Sequence, residues 1–185
     1  WGVTPYGSLD DLSQANDPDF VLVCVPRGVA PDLICALTER GIPVLAETPP
    51  AADVEGLQAL YARLGPAARV QVAEQYPFQP LHAARLALAA SGIIGKPSQA
   101  QVSVAHGYHG MALMRRALGL TFEDATILAR RVVSPIWEGP GRGGAPGEER
   151  IAVSDQVIAQ LDFGDAFGVY DFSGDQYFSW IRTPR

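Results

Sequence analysis

The sequence predicts an α/β segment with a parallel sheet, followed by a second segment built mainly from antiparallel strands. Two observations lead to this fold class. In the first 74 residues, short apolar runs alternate with helical patterns, which is the order of a βαβαβ unit. Further along, strand patterns follow one another directly with glycine-containing turns between them, as in an antiparallel meander.

The βαβαβ unit is predicted from apolar runs, helical spacing and capping signals. Strands are predicted at residues 19–26, 42–47 and 69–74, with helices at residues 30–37 and 54–64. The first strand is a continuous apolar run that ends at Pro26, so we expect it to be buried on both faces of the sheet. Gly41 is placed to end the first helix and Asp53 to cap the second.

The second segment has fewer helix patterns. Helices are predicted at residues 81–91 and 109–118, and strands at residues 99–104, 125–133, 151–163, 166–173 and 176–182. Residues 99–104 alternate polar and apolar side chains, which predicts a half-buried antiparallel strand. The dipeptides Gly164-Asp165 and Gly174-Asp175 suit tight hairpin turns, and the Gly/Pro-rich residues 139–149 suit a loop.

Composition and charge argue against several classes of function. Lys plus Arg total 14 and Asp plus Glu total 20, a net charge of −6, whereas nucleic-acid affinity depends on cationic side chains. No apolar run approaches the roughly 18 residues of a membrane span, and residues 1–11 lack the pattern of a secretory signal peptide. Cys24 and Cys35 lie in apolar stretches without CxxC spacing, which predicts two buried free thiols and a cytoplasmic protein.

Short motifs occur along almost the whole chain in a fixed order. They comprise Val25-Pro26, Gly41-Ile42-Pro43-Val44, Glu47-Thr48-Pro49, the segment Glu74–Pro80, Gly92-Ile93-Ile94-Gly95, and His109 with Gly119 ten residues later. This ordered set resembles the glucose–fructose oxidoreductase/inositol dehydrogenase (Gfo/Idh/MocA) family. Members of that family carry G-K-x-V-x-x-E-K-P at the second of these strands and H-x-x-D-(x)6-G at the later helix.

The resemblance implies that residues 1–76 are the C-terminal half of an NAD(P)-binding Rossmann domain, that is, a partial Rossmann fold with a parallel sheet. Residues 77–185 would form an α+β domain with a mainly antiparallel, open-faced sheet, incomplete at its C-terminus, that binds substrate and makes a homo-oligomer. The implied reaction is hydride transfer between a hydroxylated small molecule, such as a sugar or cyclitol, and the nicotinamide ring of NAD or NADP.

Three features depart from the family pattern. The glycine fingerprint G-x-G-x-x-G is absent, so we expect the phosphate-binding loop to precede Trp1 and these residues alone to bind dinucleotide poorly or not at all. Thr48 stands where the family has lysine, and a threonine hydroxyl near neutral pH forms hydrogen bonds without exchanging protons as an amine does. Ala105 and Ala112 stand at two aspartate positions, which leaves His109 as the retained member of the proton-relay set.

Residues that follow the strand ends form the predicted cofactor site, because ligands bind at the carboxyl edge of a parallel sheet. We predict that the cofactor contacts Val25, Pro26, Arg27, Glu47, Pro49 and Gln75. For residues 47–49 the alternative is a plain strand-to-helix turn held by Pro49 and Pro50. For Arg27 and Gln75 the alternative is an ordinary solvated side chain.

His109 is the predicted acid/base, with Thr48 as a second catalytic residue. An imidazole has an ordinary pKa of about 6.5, so it can take up the hydroxyl proton as hydride leaves. Tyr108 and His106 lie beside His109 and are predicted to contact substrate. The alternative is a capping or core histidine. His82, His106 and His109 match no metal-binding spacing, so no metal site is predicted.

Two other functions stay open at this point. Loss of the lysine and the aspartate favours a non-catalytic relative that keeps the fold for binding or assembly, whereas the retained order of the other motifs favours an enzyme. A third interpretation is a subunit whose partner chain completes the site.

Overall fold

The computed structural model describes residues 2–141 and 143–177, and the chain divides into two compact units. The first unit comprises Trp1–Glu74 and the second Gln75–Arg185. The boundary predicted from the sequence lies after residue 76.

Over residues 2–74, the first unit is a three-stranded parallel sheet with helices between the strands. Its elements are α1 (Leu9–Ala15), β1 (Val21–Val23), α2 (Ala30–Glu39), β2 (Val44–Ala46), α3 (Val54–Leu64) and β3 (Val70–Val72). The strand order is β1-β2-β3, with Val21 opposite Val44 and Val44 opposite Val70. The predicted βαβαβ unit with a parallel sheet is therefore confirmed, and α1 is an element that the sequence patterns do not predict.

Capping residues explain where the helices begin and end. The Asp53 carboxylate accepts a hydrogen bond from the Gly56 N–H at 2.8 Å, which satisfies one of the free donors at the start of α3. Gly41 follows the Arg40 C-cap of α2 with φ +74°, a conformation that glycine adopts without steric cost. Both helix boundaries agree with the prediction from the sequence.

β1 is buried on one face of the sheet. Val23 is 2% exposed and belongs to a core cluster with Ile34 and Leu37 of α2, whereas its neighbour Leu22 is 55% exposed. The prediction that the first strand is buried on both faces is therefore wrong. A continuous apolar run shows that both faces of a strand are apolar, but it does not show that another element covers both of them.

The two cysteines differ in exposure. Cys35 of α2 is buried, as predicted, but Cys24 is exposed, so the prediction of two buried thiols is wrong for Cys24. β1 ends at Val23, which leaves Cys24 beyond the last paired residue. Val23 faces the core, and successive side chains of an extended chain point to opposite faces, so an exposed side chain is expected at the next residue.

Within the described residues, the second unit is a mixed sheet of four strands with two α-helices. Its elements are a 3-10 turn (Tyr76–Phe78), α4 (Pro80–Ala90), β4 (Gln99–Val102), α5 (Gly107–Leu118), β5 (Thr126–Trp137), β6 (Ile151–Asp162), β7 (Phe167–Ser173) and a final 3-10 turn (Gly174–Tyr177). The strand order is β4-β7-β6-β5, with antiparallel pairing between β5 and β6 and between β6 and β7. The predicted α+β segment with a mainly antiparallel sheet is thus confirmed.

β4 runs parallel to its neighbour β7. Gln99 lies opposite Phe167 and Val102 opposite Tyr170, so the antiparallel prediction for residues 99–104 is wrong. The alternation itself is correct, since Val102 is buried and Gln101 is exposed. Alternation reports which side chains face the core, and it carries no information about the direction of the paired strand.

Gly174 and Asp175 begin a 3-10 turn, so the hairpin predicted at this dipeptide is wrong. The Asp175 carboxylate accepts hydrogen bonds from the Ser154 and Ser173 hydroxyls, both at 2.6 Å, and these bonds anchor the turn to β6 and β7. Residues 176–177 belong to the same turn, and the rest of the predicted last strand lies outside the described residues. By contrast, the turn at Gly164 joins β6 to β7 as predicted, with φ +83°.

The apolar face of α5 packs on the sheet. Met114 and Leu118 of this helix are buried in one cluster with Val102 of β4 and Leu161 of β6. A Cβ at Gly168 of β7 would collide with the thioether of Met114, so glycine at this position allows the close approach. The helix that carries His109 is therefore firmly seated on β4 and β7.

Candidate functional site

The carboxyl edge of the parallel sheet brings two of the predicted cofactor segments together. Val23 and Ala46 are opposite each other in the register, and the Glu47 N–H donates to the Val23 carbonyl at 2.9 Å. Residues 25–27 and 47–49 therefore leave adjacent strands at the same edge. Open parallel sheets bind ligands at this edge.

The first of these segments leads directly into α2. The Pro26 carbonyl accepts hydrogen bonds from the N–H groups of Val29 at 2.9 Å and Ala30 at 3.1 Å, which starts the helix. The side chains of Val25, Pro26 and Arg27 are exposed. An exposed guanidinium near the start of a helix is a group that can contact a phosphate.

The second segment is a tight turn before α3. The Thr48 N–H donates to the Glu47 carboxylate at 3.0 Å, and the Thr48-Pro49 peptide bond is cis. Glu47 is exposed, Thr48 and Pro49 are half-buried, and Pro50 is buried. The exposed carboxylate suits a ribose hydroxyl, because an ionised carboxylate accepts hydrogen bonds.

Gln75 belongs to the other compact unit. The Ala73 N–H donates to the Ala46 carbonyl at 2.8 Å at the end of β3, whereas Gln75 is the first residue of the second unit. The Gln75 side chain is exposed, and its carbonyl accepts from the Phe78 N–H at 3.0 Å. This bond closes the 3-10 turn that carries Tyr76.

All three histidines lie in the second unit. We define the histidine cluster as Tyr76, His82, His106, Tyr108 and His109. The His109 ring centroid lies 4.3 Å from that of Tyr108, 4.8 Å from that of His106 and 4.9 Å from that of Tyr76. His82 joins the cluster through Tyr76, at 6.3 Å between ring centroids. The predicted acid/base and the two predicted substrate residues are thus side by side.

His109 lies in the first turn of α5 and is 6% exposed. His106 is half-buried, and Tyr108 is exposed. His106 is the N-cap residue, and its carbonyl accepts from the His109 N–H at 3.1 Å. The buried imidazole is largely shielded from water, and the two more accessible rings lie beside it. Such an imidazole is suited to exchange a proton with a bound hydroxyl.

The Tyr170 side chain of β7 fixes the backbone at the start of α5. Its hydroxyl accepts a hydrogen bond from the Gly107 N–H at 2.8 Å and donates one to the Ala105 carbonyl at 3.0 Å. Burial raises the pKa of the Tyr170 phenol above its ordinary value, and the Gly107 N–H partly offsets this effect. The phenol therefore stays neutral and remains a donor at ordinary pH.

His82 is held in its neutral form near neutral pH. Burial lowers the pKa of its imidazole, and the positive charge of Arg85 lowers this pKa further. Its Nε2 atom is buried and has no hydrogen-bond partner among the described residues. A small cavity of about 100 Å³ beside α4, α5 and β4 is lined in part by His82, Arg85 and Gln101. His82 therefore adds no positive charge to the cluster near neutral pH.

The histidine cluster brings imidazoles together in pairs, without a third metal-binding side chain among the described residues. The His106 and His109 rings meet edge to face at 85°. Over the described residues, no three His, Cys, Asp or Glu side chains lie close enough together to hold a metal ion.

In residues 2–141 and 143–177, no helix has both the length and the apolar character needed to cross a membrane.

Two residues of this site are missed by the sequence analysis. Tyr76 directly follows Gln75, so the motif marks its position without indicating that its ring packs on His109. Tyr170 lies 63 and 65 residues from its hydrogen-bond partners Gly107 and Ala105. Strand alternation indicates which face Tyr170 occupies, but no local pattern predicts where its hydroxyl bonds.

Comparison with protein families matches residues 1–74 to an oxidoreductase family with an NAD-binding Rossmann fold. Comparison with curated proteins gave no match. Among solved structures, the chain is similar to an oxidoreductase from Agrobacterium radiobacter in complex with NAD+, L-tartaric acid and magnesium. The TM-score is 0.67 at 20% identity, over 90% of this chain and 51% of that one.

Two inositol dehydrogenase structures are also similar. A putative myo-inositol dehydrogenase from Sinorhizobium meliloti 1021 gives a TM-score of 0.62 at 20% identity, over 89% of this chain and 53% of that one. A myo-inositol dehydrogenase from Corynebacterium glutamicum ATCC 13032 gives 0.61 at 21% identity, over 91% and 53%. The chain spans about half the length of these structures, and at such identities the similarity establishes the fold.

Proposed function

We propose that the chain serves NAD(P)-dependent hydride transfer. The premise is that residues 1–74 carry the NAD-binding Rossmann fold of the Gfo/Idh/MocA oxidoreductase family. The family match supports the resemblance over residues 1–74, and the solved structures share the fold of the chain. The proposed substrate is a hydroxylated small molecule such as a sugar or cyclitol. The proposed cofactor is NAD or NADP.

One observation carries the proposal: residues 25–27 and 47–49 follow adjacent parallel strands at a single edge of the sheet. The side chains at this edge are chemically suited to a nicotinamide dinucleotide. Arg27 can bind a phosphate, Glu47 can accept hydrogen bonds from ribose hydroxyls, and Thr48 can hydrogen-bond to a carboxamide or a substrate hydroxyl. Apolar surface for a ring comes from Val25, Pro26 and Pro49.

His109 is the proposed proton acceptor. When bound, the nicotinamide ring supplies the hydride acceptor. As the carbinol C–H bond breaks and its electron pair leaves as hydride, the hydroxyl proton passes to the His109 imidazole and the alcohol becomes a carbonyl. Thr48 is the second proposed catalytic residue, through its hydroxyl. His106 and Tyr108 are the proposed substrate contacts beside His109. Gln75 completes the proposed cofactor contacts.

A non-catalytic relative is the second candidate. Thr48 replaces the lysine of the family pattern, and Ala105 replaces one aspartate. Ala105 is fully buried and its carbonyl is bound by Tyr170, so this position contributes backbone hydrogen bonding in place of a carboxylate. Such a protein would bind dinucleotide without turning over any alcohol.

We further propose that the chain works in the cytoplasm and forms a homo-oligomer through the sheet of its second unit. β5 and β6 expose large apolar side chains, among them Leu128, Val133, Trp137, Ile151 and Val153. Extended exposed apolar surface of this kind is typical of protein–protein interfaces.

Hydride transfer is tested with the full chain by following the absorbance of reduced nicotinamide with a panel of sugars, cyclitols and related alcohols. His109→Asn keeps a polar side chain but removes the base, so we expect kcat to fall by about 10²- to 10⁴-fold. Tyr61→Phe on α3, where the side chain is 82% exposed, is the matched control and should keep the wild-type rate.

Two outcomes would contradict this assignment. Equal rates for the wild type and His109→Asn would remove His109 from the mechanism. Dinucleotide binding without turnover of any alcohol would favour the second candidate.

A further inference from the structure

We infer that Tyr170 is a positioning residue for His109, because it holds the turn that carries this imidazole against the sheet. Its effect on turnover rests on the proposed function. Its effect on the structure of the turn does not, and the two effects are therefore tested separately.

The Tyr170 hydroxyl ties down both peptide groups that flank His106. It donates to the Ala105 carbonyl at 3.0 Å and accepts from the Gly107 N–H at 2.8 Å. The first N–H groups of a helix have no partner within the helix, so this N–H would otherwise have to bond to water. A single buried phenol thus replaces solvent as the partner of the turn.

The Tyr170 ring packs against the next turn of α5. A Cβ at residue 110 would lie 2.5 Å from Tyr170 Cε2 and 2.8 Å from the Ala105 carbonyl oxygen, so only glycine allows this approach. Tyr170 therefore contacts the helix on both sides of His109 in sequence, through its hydroxyl at Gly107 and through its ring at Gly110.

The relative position of the two imidazoles depends on this turn. The His106 and His109 ring centroids are 4.8 Å apart, and His106 also lies 6.3 Å from the Phe172 ring. Phe172 in turn stacks with Tyr170 at 6.2 Å. Proton transfer requires hydrogen-bond reach, and a misplacement of about 1 Å can lower a rate by about 10²-fold.

Hydrogen exchange at the Gly107 amide tests the contact in the unaltered chain. An unbonded amide in a first helical turn exchanges freely. Because the Gly107 amide bonds to Tyr170, we expect its exchange to be slower by about tenfold or more. Exchange at the unprotected rate would overturn the inference.

Tyr170→Phe removes the hydroxyl and keeps the ring. The chain has three histidines, so it gives three imidazole Cε1–H resonances in an NMR spectrum. We expect the His106 and His109 resonances to shift and that of His82 to stay. Unchanged His106 and His109 resonances in folded Tyr170→Phe would overturn the inference, and if this variant does not fold, Gly107 exchange in the wild type decides.

Ser154→Ala is the matched control. It also removes a buried hydroxyl from the same sheet, but this hydroxyl donates to the Asp175 carboxylate. We expect all three imidazole resonances to stay where they are in the wild type. Equal shifts in Ser154→Ala and Tyr170→Phe would show a general response of the sheet and would overturn the inference.

Turnover supplies the second readout. We expect Tyr170→Phe to lower kcat by about 10- to 100-fold with little change in KM, and to cause no further loss in the His109→Asn background, since Tyr170 acts through His109. Independent losses in the double variant would overturn the positioning role. A wild type that binds dinucleotide without turnover would refute the proposed function and leave the exchange and resonance measurements to decide the inference.

Discussion

Gly110→Ala tests how closely α5 approaches β7. Glycine within a helix costs about 0.5–1 kcal/mol relative to alanine, so alanine at an unobstructed helical position stabilises a protein. At residue 110 the new Cβ would lie 2.5 Å from Tyr170 Cε2 and 2.8 Å from the Ala105 carbonyl oxygen. Neither atom can move freely, because Tyr170 is 6% exposed and the other atom belongs to the backbone.

The two effects have opposite signs. Overpacking of a core costs about 1–3 kcal/mol, and the gain in helix propensity offsets about 0.5–1 kcal/mol of that. Since both obstructing atoms are held in place, we expect the upper part of the overpacking range. The free energy of unfolding should therefore fall by a net amount of about 1–2.5 kcal/mol.

Urea unfolding measures this loss, and Gly56→Ala in α3 is the matched control. Gly56 is likewise near the start of a helix without a positive φ, and its new Cβ would meet Asp53 Oδ1 at 3.2 Å. Asp53 is exposed, and a shift of a few tenths of an ångström relieves this contact while its carboxylate still accepts from the Gly56 N–H, so Gly56→Ala should change stability little. If Gly110→Ala were as stable as the wild type or as Gly56→Ala, the packing argument would be refuted.

Two further predictions follow from the lowered pKa of His82, which results from burial and from the charge of Arg85. Below pH 6.5, the ordinary pKa of histidine, His82 of the unfolded chain binds a proton, whereas His82 of the folded chain binds it only at lower pH. The wild-type free energy of unfolding should therefore fall as the pH drops below 6.5. His82→Gln should lose this part of the pH dependence in urea unfolding at a series of pH values, and curves of equal slope for the two proteins would contradict the assignment.

Much of the first unit could be predicted from local patterns. Apolar runs and helical spacing predict β1, β2 and β3 with their connecting helices, and Asp53 and Gly41 fix two helix boundaries. The exposure of Leu22 could not be predicted, because it depends on which other elements cover the strand. The parallel direction of β4 was missed for a related reason: pairing with β7 joins residues far apart in the chain.

The candidate site divides in the same way. Residues 25–27 and 47–49 could be placed at one sheet edge, because parallel strands align their carboxyl ends. His106, Tyr108 and His109 are neighbours in sequence, so their association is nearly a local property. The contacts of Tyr76 with His109 and of Tyr170 with Gly107 depend on tertiary packing, which no short pattern encodes.

Backbone amide resonances of the full chain, followed during titration with NAD or NADP, test the proposed cofactor edge most directly, and the method also detects weak binding. The account predicts the largest shifts at the non-proline residues of the two strand-end segments, Val25, Arg27, Glu47 and Thr48. Shifts confined to the opposite edge, where Val21, Val44 and Val70 begin the strands, would contradict it.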